Sequence, residues 1–239
     1  MWLIAEYEAA SLFSLKLSSA TASGGKTLLV PTPYAIKMAL LDAACRIRSV
    51  VVAEQMWEQI RDLQIALRPV EQVAVTNLFQ KVLKPRRGEV GLEDPDAGPF
   101  QKTIGYREYA QWVGTLGIAF SASENESTDW LGDLLLNVNY LGKRGGFVQL
   151  VPPFQYAAQL PENFVEATVK PKAFAVNGVL QVLDDCGPSL TFAKANIYNR
   201  ENRDKIKMGK ERVTRHIVLP NFRLTRSSKS FSLYERSDK

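Results

Sequence analysis

Two cations set among three glycines make Gly142-Lys143-Arg144-Gly145-Gly146, followed by Phe147, the stretch best suited to chemistry. Glycine lets the backbone come close to an anion and turn N–H groups toward it, while lysine adds a point charge and arginine a flat fork of donors. The stretch therefore suits a phosphate, and the neighbouring aromatic ring suits a stacked base. An ordinary left-handed helix stop with two solvated charges would use the same residue types. The loop by itself leaves both readings open.

Other candidates are poorer. The run Ala20-Thr21-Ala22-Ser23-Gly24-Gly25-Lys26-Thr27 fits a relaxed phosphate-loop pattern, but such a loop must open a helix, and here Leu28-Leu29-Val30 and two prolines follow at once. No helix is expected to start at Lys26. His216 is the single histidine; acid–base work with a nearby lysine or tyrosine is one reading, and a structural or phosphate-contact role is the reading preferred here. Asp184-Asp185 is a close acidic pair at the end of a short apolar run, too common a pattern to support a two-metal site. No His/Cys cluster suggests zinc, and Cys45 and Cys186 form no CxxC pair, so buried free thiols are expected.

The elements that must hold the loop can be read around it. Leu131, Leu134, Leu135, Val138 and Leu141 fall three or four apart, which predicts a helix over 128–141 with Thr128 as its N-cap. A strand over 147–151 follows. Residues 2–17 read as an opening, central strand interrupted near Ala9-Ala10. Thr32 and Pro33 cap a helix carrying Ile36, Leu40, Leu41, Ala44 and Ile47 on one face. A second helix is expected over 53–67, with strands over 73–83 and 109–120. Between those strands, 84–107 holds three prolines and four glycines among many charges and reads as a long excursion. After Pro152-Pro153 the pattern changes to short β-type runs.

Charge separates the two ends. Residues 194–239 carry 13 basic and 5 acidic side chains, a balance of +8, while the chain as a whole stands at +5, leaving the first 193 residues at −3. Such asymmetry suggests a polyanionic partner, or a solvated basic tail. No apolar run approaches the roughly 20 residues that span a bilayer, and Met1-Trp2-Leu3-Ile4 lacks the basic start of a signal peptide. A cytoplasmic protein with no membrane partner, no metal and no cofactor is expected.

The order of elements predicts an α+β protein: a ferredoxin-like (RRM-like) β-α-β-β-α-β domain over 1–152, with a thumb-like insertion between its second and third strands at 84–107, and a β-rich basic C-terminal part over 153–239. In that arrangement one sheet face carries the helices and the other is left open for single-stranded RNA.

The segment Val30-Pro31-Thr32-Pro33-Tyr34-Ala35-Ile36-Lys37-Met38-Ala39-Leu40-Leu41-Asp42-Ala43-Ala44 resembles the first helix of the CRISPR-associated RAMP superfamily, and Gly142 to Gly146 resembles its glycine-rich loop. Length and the long excursion are most similar to the fifth Cas family, the Cascade subunit that caps the crRNA 5′ handle. The resemblance covers mainly residues 1–152. It implies an RNA-binding subunit of a type I CRISPR effector, without turnover, whose partners are the crRNA 5′ handle, the backbone and large subunits and, through the complex, target DNA in antiviral defence. On this resemblance Gly142, Lys143, Arg144, Gly145 and Gly146 grip the RNA with Phe147 beside them, and Lys84, Arg86, Arg87, Lys102 and Arg107 are the cations of the thumb. His216 is carried as a further RNA contact. Some members of the superfamily cleave precursor crRNA with Tyr, Lys and His side chains; His216 falls in the diverged half, so an endoribonuclease of the same fold stands as the alternative.

Overall fold

The computed structural model describes residues 1–17, 20, 25–86, 98–122, 128–171, 173–196 and 205–237. In chain order the elements are β1 (Trp2–Ala9), α1 (Pro33–Ile47), α2 (Val50–Gln55), α3 (Trp57–Asp62), β2 (Gln64–Arg68), β3 (Gln72–Pro85), β4 (Phe100–Val113), β5 (Leu116–Ser121) and α4 (Leu131–Leu136). Then come β6 (Val148–Ala157), β7 (Val165–Glu166), β8 (Gly178–Cys186), α5 (Phe192–Ala195), β9 (Arg212–Pro220), β10 (Phe222–Ser227) and β11 (Phe231–Arg236). The architecture is α+β, mostly sheet with few helices.

Helix α1 forms as its sequence predicts. Thr32 is extended and its hydroxyl accepts the Ala35 N–H at 3.1 Å, Pro33 needs no hydrogen bond in the first turn, and Ile36, Leu40, Leu41 and Ala44 are buried on one face. Lys26 opens no helix. Thr27 is instead bridged to Lys16, and the Leu28 N–H donates to the Leu15 carbonyl.

A five-stranded antiparallel sheet of order β6-β1-β5-β2-β7 holds β1 near its centre. Two of its strands differ from the sequence reading. Residues 53–67, expected as one helix, contain the end of α2, then α3 and then most of β2. The segment 64–68 is paired on both edges and buried on both faces, with Ile65, Ala66 and Leu67 fully covered. A short apolar run buried on both sides has no periodicity to mark it as strand. Residues 109–120, expected as one strand, are divided at Gly114, whose φ of +91° turns the chain from β4 into β5.

The excursion is also more regular than expected. β3 and β4 pair from Gln72 opposite Val113 out to Pro85 opposite Phe100. Pro85 and Gly105 do not forbid this, because Pro85 stands at the strand end and Gly105 lies within a ribbon that, among the described residues, has only two strands there. At its root the ribbon belongs to a four-stranded sheet, β10-β11-β3-β4, so the C-terminal strands pack on the base of the hairpin.

Leu3, Ala5 and Tyr7 of β1 join Ile65, Leu67, Ile118 and Phe120 in one core with Leu40, Ala43, Leu131 and Leu134 from α1 and α4, and the Tyr7 hydroxyl donates to the Leu135 carbonyl at 3.0 Å. The face expected to be open is partly closed. Ile4, Ala66 and Ala119 lie across it and are covered by Phe164, itself buried, with Trp2 and Leu160 at the margin. Beside them Arg68 pairs with Glu6 at 2.8 Å. Segment 157–164, polar on average but with two well-placed apolar residues, provides this cover.

The two-stranded β8–β9 hairpin docks against α1. The Lys37 ammonium reaches the Asp185 carboxylate at 2.7 Å, with both side chains almost fully buried. The Gln181 side-chain oxygen accepts the Leu29 N–H at 2.9 Å, and the Trp57 indole donates to the Leu190 carbonyl at 2.7 Å. No described helix is long and apolar enough to cross a membrane.

Candidate functional site

The glycine loop is built differently from the helix stop its sequence suggested. Helix α4 covers only Leu131–Leu136, with Trp130, not Thr128, at its N-cap. The apolar face continues, since Val138 and Leu141 are buried as well, but the backbone leaves the helix. The Asn137 side chain donates to the Asp133 carbonyl, a local bond that competes with helix continuation. Residues beyond it pair with the lead into β6 instead: Tyr140 is bridged to Phe147, and the Val148 N–H donates to the Asn139 carbonyl at 3.0 Å.

Residues 141–146 therefore close a tight loop between two extended arms. Gly142 has φ +77° and Gly145 φ +104°, values that other L-residues rarely adopt. At Gly146 the demand is space, because a Cβ would sit 2.8 Å from the Leu141 carbonyl oxygen and 3.0 Å from the Phe13 ring. Ser11, just past β1, pins the loop: its hydroxyl donates to the Gly145 carbonyl at 2.6 Å and accepts the Phe147 N–H at 2.7 Å.

Phe13 joins this loop to the root of the hairpin. Its backbone exchanges two hydrogen bonds with Ala110 of β4, its ring stacks on Trp112 with centroids 4.0 Å apart, and the ring edge lies under Gly146. As a result Arg107 and Tyr109 of β4 line a cavity of about 230 Å³ together with Lys143, Arg144 and Ser14. A second cavity, of about 240 Å³, lies on the other side of Lys143 and is lined by Lys16, Tyr34 and Arg212. Among the described residues neither cavity is lined by a carboxylate.

The charges feel one another. Partial burial first, then the positive charges of Arg107 and Lys16, push the Lys143 ammonium below the usual lysine range. Neither Lys143 nor Arg107 makes an ion pair among the described residues. Like charges gathered in this way destabilise the folded chain, and a bound polyanion relieves that cost. A third and larger cavity, about 790 Å³, lies between α1, Tyr140 and Arg144 and includes Asp42 and Cys45.

Of the residues singled out in the sequence, Gly142, Lys143, Arg144, Gly145, Gly146 and Arg107 come together. Phe147 follows the loop with its ring half exposed. Lys84 and Lys102 do not join them: they lie along the ribbon opposite Gln101 and Leu83, about 20 Å and about 17 Å from Arg107 at the rise of a strand. Arg86 lies farther out, where its N–H donates to the Pro99 carbonyl, and Arg87 is outside the described residues. His216 stands opposite Val182 on β9 and lines another cavity, with Lys170, Phe174 and Arg215. Lys16, Tyr34, Tyr109 and Arg212 were missed by sequence reading; the only signal for Arg212 was the basic balance of the C-terminal end.

Asp184 and Asp185 are held by cations, Asp184 by Arg212 and Asp185 by Lys37, and the described residues contain no cluster of three metal-ligating side chains. Burial pushes the Cys186 thiol up to about 12, and Cys45 is half-buried with its thiol also raised by burial.

No family model matches the chain. Over 100 residues, 41% of the chain, it is 32% identical to a protein of Archaeoglobus fulgidus named CRISPR-associated protein Cas5. The match spans 42% of that curated relative's length. Over this stretch the chain is Cas5-like, as its resemblance to the CRISPR-associated RAMP superfamily implied. Among solved structures, a crystal structure of a CRISPR protein from Archaeoglobus fulgidus aligns with a TM-score of 0.46 and 10% identity, over 99% of this chain and 92% of that one. A chain of a CRISPR RNA-guided surveillance complex aligns with a TM-score of 0.44 and 16% identity, over 91% of this chain and 90% of that one.

Proposed function

We propose that this chain is an RNA-binding subunit of a type I CRISPR effector, which grips the 5′ handle of crRNA through the glycine loop and does so without turnover. The observation that carries the reading is the meeting of Lys143 and Arg107 with Lys16 around a loop whose glycines bring the backbone close, with no carboxylate among the described residues that line the two cavities Lys143 shares with Arg107 and with Lys16. Phosphate supplies the missing negative charge, and Tyr109 and Phe147 offer rings to bases. The Cas5-like stretch supports the same reading.

Supporting arguments come from the fold. The order β6-β1-β5-β2, all antiparallel with α1 and α4 in the two crossovers, is the order of a ferredoxin-like core, into which the β3–β4 hairpin is inserted. On this reading the core is the RAMP domain of residues 1–152, and the later strands form the C-terminal part. The hairpin then acts as the thumb. One face of its outer ribbon carries Phe79, Leu83, Phe100 and Ile104, all exposed, beside Lys81 and Lys102. A mixed apolar and basic face of this kind suits a protein partner, the backbone subunit of the complex. The large subunit and target DNA would be met through the assembly, in the cytoplasm. The only histidine lies away from the glycine loop, which supports binding over cleavage.

The test is binding of single-stranded handle RNA by the purified protein across a salt titration. Affinity is expected to fall steeply as salt rises, and the K143A/R144A variant is expected to bind more weakly with a slope smaller by about 1.4, or about 0.7 for each lost phosphate contact. Equal affinity and slope for the variant would overturn the loop assignment. Metal-independent cleavage of a repeat hairpin that disappears in H216A would overturn the reading without turnover.

A further inference from the structure

The line of cations continues past the loop into the C-terminal part. Arg212 of β9 lines the 240 Å³ cavity together with Lys16, Lys143, Tyr34 and Met38. It is held from two sides. Its Nε and Nη2 donate to the carboxylate of Asp184, which is buried, and its guanidinium lies over the Tyr34 ring with Cζ 3.8 Å from the centroid. Its Nη1 has no hydrogen-bond partner among the described residues.

A guanidinium braced in this way loses little side-chain freedom when it takes a ligand, and its remaining donors have the planar geometry that fits phosphate. Asp184 offsets the charge of Arg212, while Lys16 and Lys143 add two more cations to the cavity wall. The first turn of α1 adds the positive end of a 15-residue helix through Thr32 and Ala35. Tyr34 and Met38 give the cavity an apolar side. Because Lys143 lines both this cavity and the one beside Arg107, a chain of phosphates lying in one leads directly into the other.

We propose that this cavity takes a phosphodiester of the same single-stranded RNA that the glycine loop grips, with Arg212 as the contact and Asp184 and Tyr34 as positioning residues. The proposal rests on the RNA-binding reading above and adds the strand's course: from Arg107 at the hairpin root, past Lys143, to Arg212 in the C-terminal part. The β8–β9 hairpin thereby becomes part of the RNA site.

Labelled single-stranded handle RNA tests this with the full chain. Replacing Arg212 alone would strand a buried Asp184, so the main variant is D184N/R212Q, which removes both charges and keeps a polar pair. It is expected to lose about tenfold in affinity, with a salt slope smaller by about 0.7 and a melting curve like that of the wild type. R212K, which keeps the charge but not the fork, should also bind more weakly and serves if the double variant melts early. Y34F should bind like the wild type and Y34A less tightly, a split that tests stacking against mere charge. Wild-type affinity and slope in D184N/R212Q and R212K, alongside weak binding by K143A/R144A, would overturn the subsite and leave the loop reading standing. No change in any of the three, or no binding by the wild type, would overturn both. Thermal stabilisation by inorganic phosphate that is lost in D184N/R212Q, with RNA affinity unchanged, would make the cavity a free-anion site and overturn its place on the RNA path.

Discussion

Two groups of cations lie within a short stretch of this molecule and are treated in opposite ways. Between α1 and the β8–β9 hairpin, Lys37 and Arg212 each meet an aspartate on the strand, and Arg215 adds a looser contact to Asp185 at 3.9 Å. Around the glycine loop, Lys143 and Arg107 face one another's charge across a cavity with no acid among its described lining residues. The first group holds the two parts of the chain together. In the second, Lys143 and Arg107 make no ion pair among the described residues, and Arg212, paired with Asp184, stands where the two groups meet.

The contrast can be broken first at the buried pair. K37M should leave Asp185 buried with its strongest partner gone and cost about 3–5 kcal/mol of stability in urea unfolding. The K37M/D185L double variant should recover most of that loss, since a buried pair replaced together by apolar groups is often neutral. A K37M protein as stable as the wild type would mean that the pair is not what docks the hairpin on α1.

Smaller effects sharpen the other side. R107A should weaken binding of handle RNA and lower the salt slope by about 0.7, while K84A, farther along the ribbon, should leave both nearly unchanged; equal effects would remove the distinction between the hairpin's root and its tip. On the ribbon, F79S/I104S should shift unfolding free energy by no more than about 0.5 kcal/mol, because both side chains are mostly exposed, yet weaken capture of a backbone subunit. A large loss of stability would show that this face is packed within the chain and not kept for a partner.

The smallest effect is in titration. The Lys143 ammonium is depressed in the folded protein, so over the window between its folded value and the ordinary lysine value the unfolded chain holds more protons. Stability should therefore rise with pH across that window, and K143Q should remove the rise. Amine titration by NMR should also place Lys143 higher in R107A than in the wild type. A Lys143 that titrates like an ordinary lysine in both proteins would separate it from Arg107.

Some of this was legible in residue order. Thr32-Pro33 marks the start of α1 because capping depends on only four consecutive residues, and the glycine loop is visible because three glycines flanking two cations carry their own chemistry. Strand β2 was not legible. Residues 64–68 continue an apolar spacing that a helix would also satisfy, and only burial on both faces and pairing with β5 and β7 make them a strand. Leu131 to Leu141 was misread for a related reason. Its buried face is real, but Val138 and Leu141 reach the core from a non-helical backbone that pairs with β6.

By itself, then, the sequence determined the caps, the apolar faces, the charge asymmetry and the basic glycine loop, since each is set by neighbours a few residues away. The tertiary structure decided which cations meet. Phe13 draws the hairpin root against Gly146, and the Lys37–Asp185 pair draws β8 against α1 and with it the paired β9, so that Arg107 and Arg212 arrive on either side of Lys143. Residues about 36 and 69 positions away in the chain become its neighbours through packing that no local pattern encodes.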